Sequence, residues 1–184
     1  MSRKRTFERP CSNEEIVRRM KNGGEVLILL LRVDHRLLHG QTAISWVGNL
    51  GADCVLVADD EAATDELQVT MLRLAKPQGV KLVIKTIDDS IAALNEGVTD
   101  KYKLFIVTGS VAGAKRLADG CPQITQVNLG GVKPKPDTKN ISKAVFLLQK
   151  EIEMLKELVA RGVEVESRLI PKDKKMLFSD AVIS

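Results

Sequence analysis

Apolar runs rich in branched residues recur along this chain at VLILLLRV (26–33), CVLVA (54–58), VKLVIKT (80–86), KLFIVTG (103–109) and ITQVNLGG (124–131). Between them, residues 41–50, 64–75, 87–95 and 110–119 space their apolar positions three and four apart, the period of a helix with one buried face. Continuously apolar strands alternating with helices predict an α/β fold: an open, mainly parallel β-sheet with helices on both faces. The pattern leaves strand order open.

Several boundaries carry their own chemistry. Thr86 sits where a helix cap belongs, with Asp89 three residues on. Gly51 suits a left-handed helix end, Pro77 and Gly79 separate the second helix from the third strand, and the fourth helix is expected to stop near Gly120 and Pro122. Past Gly131 the pattern changes. VKPKPDTKN reads as a polar loop, ISKAVFLL as a strand or short return pairing, LQKEIEMLKELVARG as an amphipathic helix and VEVESRLIP as a last strand. Ile152, Leu155 and Val159 mark the helix face meant for burial, a homodimer surface being the alternative use. Residues 1–24 stand apart as an extension. Ser12 and Glu15 there form a capping-box pattern for a short helix, which Asn22–Gly24 breaks. The chain therefore divides into this extension and one domain over 25–184.

Composition narrows the function classes. The 44% hydrophobic and 28% charged content fits a globular domain, while only 3% aromatic residues leaves no stacking surface for single strands. A formal charge of +4 with no basic reading element argues against nucleic acid. Cys11, Cys54 and Cys121 are odd in number and widely spaced, so neither a disulfide framework nor a metal spacing is expected. A cytoplasmic setting follows from that usage. The basic N-terminus lacks the apolar stretch of a signal peptide, and Val26–Leu31 is too short to cross a bilayer.

Both histidines of the chain lie in LRVDHRLLHGQTAISW (31–46), between the first strand and the first helix. Carboxyl ends of parallel strands are where ligands of such folds bind. His39 and Gly40 fall at the helix entrance, where free backbone N–H groups receive an anion and a glycine lets it approach. This arrangement suits a phosphohistidine: a neutral imidazole attacks phosphorus while arginines and amides hold the charged oxygens. Asp34 is placed to orient one ring nitrogen and Arg36 to hold phosphate. Arg32 has two uses open to it, phosphate ligand or loop anchor. Metal binding through Asp34, His35 and His39 is disfavoured by the two adjacent arginines, and no metal or cofactor is expected.

Other candidates share the same sheet edge, each with a plainer reading beside it. Asp60 and Glu61 stand either near the loop, tethering Arg32 or Arg36, or as helix-capping acids. Thr108 and Ser110 either donate to phosphate or, for Ser110, cap the next helix. Asn128, with Gly130 and Gly131, supports the loop or forms a tight turn. Lys133, Lys135, Lys139 and Lys143 form a basic rim for a partner or a solvated face. Trp46 is expected to pack the first helix on the sheet.

The string RVDHRLLHGQ closely resembles the R-(I/V)-D-x-R-x-x-H-G-Q signature of the IIB component in the mannose/fructose/sorbose family of the bacterial sugar phosphotransferase system. The likeness continues in VADDEAATD (57–65), AKPQGV (75–80), VNLGG (127–131) and LVARGVEVESRLIP (158–171), in the same order. The resemblance implies an open α/β fold with its reactive loop after strand one, and a phosphorylated histidine at His39. On that reading His39 accepts a phosphoryl group from a IIA partner and passes it to sugar held by IIC and IID permease components. The protein would then be cytoplasmic and transiently membrane-associated. The motif's Arg32, Asp34 and Arg36 attend the histidine, with Gly40 and Gln41 beside the phosphate. Many relatives carry aspartate where this chain has His35, which makes His35 a modifier of the loop. Two other readings stay open: a regulatory binding protein with the same fold, and an α/β enzyme acting on a small phosphorylated substrate.

Overall fold

The structure, a computed structural model, describes residues 27–178, and within that span the side chains of Gln41 and Thr42 are outside the description. The proposed extension 1–24, its capping box and Cys11 thus lie outside the described residues. Elements run in the order β1 (Leu27–Asp34), α1 (Gly40–Leu50), β2 (Cys54–Ala58), α2 (Asp60–Thr64), α3 (Glu66–Ala75), β3 (Lys81–Lys85), α4 (Ile87–Asn95), β4 (Lys103–Thr108), α5 (Val111–Gly120) and β5 (Gln126–Gly131). They are followed by β6 (Lys139–Ser142), β7 (Val145–Leu147), α6 (Gln149–Ala160), β8 (Glu164–Ser167) and β9 (Met176–Leu177).

Seven strands form one sheet in the order β3-β2-β4-β1-β5-β8-β9, parallel except where β9 returns along β8. β6 and β7 make a separate antiparallel hairpin. The expected return pairing of 141–148 is this hairpin. Central strands are buried on both faces because helices cover both. One face packs α4, α5 and α6 over Leu31, Val33, Ile106 and Leu129; the other packs α1, α2 and α3 over Leu30, Val55, Phe105 and Val107. β1 feeds α1 on one face while its neighbour β4 feeds α5 on the other. A crevice opens where such connections diverge, at the carboxyl ends of the two strands.

Local signals act as read. Gly51 closes α1 at φ +65°, Thr86 accepts from the Asp89 amide to cap α4, and Ser110 accepts from the Gly113 amide to cap α5. The helix expected over 64–75 is α3, starting two residues later, and the short α2, which the pattern did not mark, precedes it. Asp59 caps α2 through the Ala62 amide, and Asp65 then takes the Leu67 and Gln68 amides in extended backbone, ending one helix and starting the next. The last strand is shorter than the 163–171 expected, ending at Ser167, and β9 had no counterpart in the pattern.

Cys121 is fully buried, and burial pushes its thiol up to about 12; Cys54, also buried, is raised for the same reason. Thiolate is the reactive form, so both should resist iodoacetamide at pH 8 in the native protein and react once urea unfolds it. Peptide mapping checks this, and rapid native labelling of Cys121 would contradict it.

Candidate functional site

β1 ends in a polar pair that an otherwise apolar strand buries: Arg32 is 2% exposed and Asp34 fully covered. The Arg32 guanidinium donates to Asp34 Oδ2 at 2.9 Å, to Asn128 Oδ1, and to the carbonyls of Arg168 and Leu169 at 3.2 Å. It also lies 5.2 Å from the centroid of the Trp46 ring. Burial lowers its pKa against the opposing pull of Asp34, but a guanidinium starts so high that it stays cationic. Of the two uses open to Arg32, its donors serve the anchor. Phosphate binding by Arg32 is corrected on that ground, since its guanidinium is covered and engaged.

The loop after β1 is tied at both ends. The His35 amide donates to the Gly131 carbonyl at 2.9 Å, with His35 Nδ1 3.2 Å from the same oxygen. Asp34 Oδ1 accepts from the Arg36 amide at 3.1 Å and lies 3.7 Å from Arg36 Nε, whose side chain is 51% exposed. Leu37 then takes φ +55°, a left-handed turn unusual for a branched residue. That turn brings its carbonyl within 3.1 Å of His39 Nδ1. Since a carbonyl only accepts, the imidazole carries its proton on Nδ1 in this contact. His39 Nε2 is buried with no hydrogen-bond partner among the described residues. Contrary to the expectation from sequence, Asp34 therefore does not orient the ring directly: its oxygens are occupied by Arg32 and Arg36, and the Leu37 carbonyl holds the ring.

His39 occupies the N-cap position of α1 in extended backbone, yet makes no side-chain cap bond, and no acid stands in the first turn. The four helices that follow each begin with an aspartate, threonine or serine that accepts a backbone N–H. An uncapped start with open space around Gly40, at φ +43°, leaves amides available to an anion. The Gln41 side chain lies outside the described ones.

The remaining candidates fall elsewhere. Asp60 accepts from the Ile87 amide and from Arg116, and these two contacts hold its pKa below the usual carboxylate range. It tethers neither Arg32 nor Arg36, a correction with a geometric cause: α2 turns it toward α4 and α5. The capping acid is Asp59, one residue earlier. His35, Asp59, Asp60, Glu61, Ser110 and Arg116 line a cavity of roughly 370 Å³ on this edge. Thr108 is fully buried beside it, its hydroxyl without a partner among the described residues. Asn128 is fully buried and bonded to Arg32. Lys133, Lys135, Lys139 and Lys143 are all exposed.

Sequence reasoning missed Glu166 and Arg168. Glu166 is 2% exposed, accepts from Asn128 at 2.7 Å, and pairs with Arg168, whose guanidinium lies 5.3 Å from the Trp46 ring. Two carboxylates in VEVES read as the solvent side of a strand. The one available signal was that a parallel strand beside another is covered on both faces, so a charge there needs a partner.

Fold and site together define an open α/β protein that gathers an imidazole, an exposed arginine and uncapped helix amides at the carboxyl edge of its sheet. Residues 28–183 match the family described as the sorbose-subfamily IIB component of the PTS. A probable phosphotransferase enzyme IIB component of Streptococcus pyogenes serotype M6 is 33% identical over 162 residues, covering 85% of this chain and 99% of that protein. The mannose-specific EIIAB component of Escherichia coli K12 is 31% identical, covering 85% of this chain and 49% of that one. The crystal structure of the IIB domain of the sorbose permease from Klebsiella pneumoniae superposes with a TM-score of 0.80 at 27% identity, covering 85% and 96% of the two chains. The chain belongs to the sorbose-subfamily IIB components of the phosphotransferase system. It is thus a transferase-family component of phosphoryl transfer in sugar uptake, and components of this kind work in general with IIA and IIC/IID partners. Neither the regulatory reading nor the enzyme acting on a small phosphorylated substrate is favoured by these relatives. No described helix is long and apolar enough to cross a membrane.

Proposed function

We propose that His39 is the phosphoryl carrier of this chain, in the manner of a protein-Nπ-phosphohistidine–sugar phosphotransferase. The observation that supports this best is an imidazole at the uncapped start of α1, two residues beyond a left-handed Leu37 and three beyond an exposed Arg36. A neutral ring nitrogen of His39 forms the new N–P bond as the N–P bond of the IIA phosphohistidine breaks. The α1 amides and the Arg36 guanidinium hold the phosphoryl oxygens, so that positioning carries most of the catalysis. In the resting loop Nδ1 is engaged by Leu37 and Nε2 is covered, so donor docking has to turn the ring outward before attack. Onward transfer breaks the His39 N–P bond as an O–P bond forms to a sugar hydroxyl held by the permease, the hydroxyl proton going to the released imidazole, with this protein at the membrane only while docked. Asp34 and Asn128 act by holding Arg32 and the loop, and His35 by its contact with Gly131.

The test is incubation with phosphoenolpyruvate, the general phosphotransferase proteins and a cognate IIA. The expected product is an acid-labile, base-stable phosphoryl group that peptide mass spectrometry locates on His39. Failure of several competent IIA donors to label the protein would end the proposal.

A further inference from the structure

A single row of polar side chains crosses three adjacent strands at one level of the sheet. Arg32 of β1 is in register with Asn128 of β5, and Asn128 with Glu166 of β8. All three side chains are buried. Asn128 turns its carbonyl oxygen to the Arg32 guanidinium and its amide to Glu166, which fixes the polarity of the row. Arg32 continues it to Asp34, whose other oxygen takes the Arg36 amide in the reactive loop. At the far end Arg168 closes on Glu166 with two hydrogen bonds of 2.9 and 3.1 Å. Arg168 and Arg32 both lie against Trp46, and Trp46 Nε1 donates to the Leu169 carbonyl at 3.0 Å.

We propose that Glu166 and Arg168 are positioning residues for phosphoryl transfer, acting through Asn128, Arg32 and Trp46 on the His39 loop and on α1. The inference rests on the reading of His39 as phosphoryl acceptor. Two carboxylates and two guanidiniums make the row neutral overall, and a neutral buried network is rarely the most stable filling for a core. Its use lies in how Asp34 is shared. Arg32 and Arg36 both face Asp34, but Arg32 is covered and multiply bonded whereas Arg36 is exposed on a longer, 3.7 Å contact. When a phosphoryl group draws Arg36 away, Asp34 keeps Arg32 as counter-charge, provided Arg32 cannot follow. Asn128 and Glu166 hold Arg32 back from one side, and the carbonyls of Arg168 and Leu169 from another. The same clamp fixes Trp46, and with it the helix whose N-cap is His39.

Rapid-quench transfer from phosphorylated IIA to the full chain separates this role from simple stability. Glu166→Ala and Arg168→Ala should lower the transfer rate constant at saturating donor by roughly tenfold to a hundredfold. The half-saturating donor concentration should stay within about twofold, because buried Glu166 adds nothing to the docking surface. Glu166→Gln keeps an acceptor for Asn128 and should recover most of the rate, covering the case in which Glu166→Ala does not fold. Wild-type rate constants in folded Glu166→Ala or Arg168→Ala, or a loss expressed only in the donor half-saturation, would overturn the proposal while leaving His39 as acceptor. Absence of label on wild-type His39 would overturn both.

Discussion

His39→Ala is expected to take up no phosphoryl group, a fall of about a thousandfold or more in labelling rate, because the substitution removes the proposed acceptor nitrogen. His35→Ala should keep labelling, within a factor of roughly ten, since the His35 amide still ties the loop to Gly131 without the ring. A companion variant separates chemistry from folding. His39 sits at an N-cap position with φ −152° and ψ 141° but makes no cap bond. Asparagine there can accept an orphan α1 amide, so His39→Asn should be inactive yet more stable by up to about 1 kcal/mol in urea melts. A stabilised, unlabelled protein would show that the wild-type residue trades helix stability for reactivity. An unlabelled His39→Asn that is also destabilised would contradict that account.

Gly130→Ala carries the second large effect, on folding and on transfer together. A Cβ at residue 130 would fall 1.9 Å from Arg32 Cζ and within 2.2 Å of both terminal nitrogens. The guanidinium cannot swing aside, being buried under Trp46 and bonded to Asp34 and Asn128. Displacing it leaves Asp34 covered without its cation, a cost on the order of 3–5 kcal/mol. Variant that remains folded should transfer about a hundredfold more slowly, because loop and helix lose a shared anchor. Gly131→Ala is the control. Its Cβ would approach Asp34 Oδ1 and His35 Nδ1 only to 3.3–3.4 Å, and its effect should be far smaller. Equal unfolding midpoints for the two alanine variants would refute the steric argument. The glycine pair of NLGG, readable as a tight turn, thus has separate duties: residue 130 makes room for a cation, and residue 131 offers its carbonyl to the loop.

Thr86, Ser110 and Gly51 act as read because a cap is settled within one turn of chain. The short α2 escaped sequence reasoning, since a helix of five residues is too brief to show a helical period, though Asp59 caps it as Asp65 caps α3. Asp60 was placed on the right edge with the wrong partner: Arg116 lies 56 residues away on a helix whose position the sheet order sets. Glu166 and Arg168 escaped for the same reason. Their link to Arg32 runs through register pairs on three strands, and nothing along the chain marks those strands as neighbours.

By itself, then, the sequence determined the alternation of strands and helices, the caps, and the placing of His39 and Gly40 at a helix entrance with Arg36 just upstream. Each of these depends on periodicity or on hydrogen bonds that close within a few residues. Only the tertiary structure decided that Arg32 is an anchor, that Asp34 serves the two arginines rather than the imidazole, and that Glu166 and Arg168 stand behind them. A buried charge takes whatever opposite charge the packing brings within about 3 Å, and packing is settled by strand order and register.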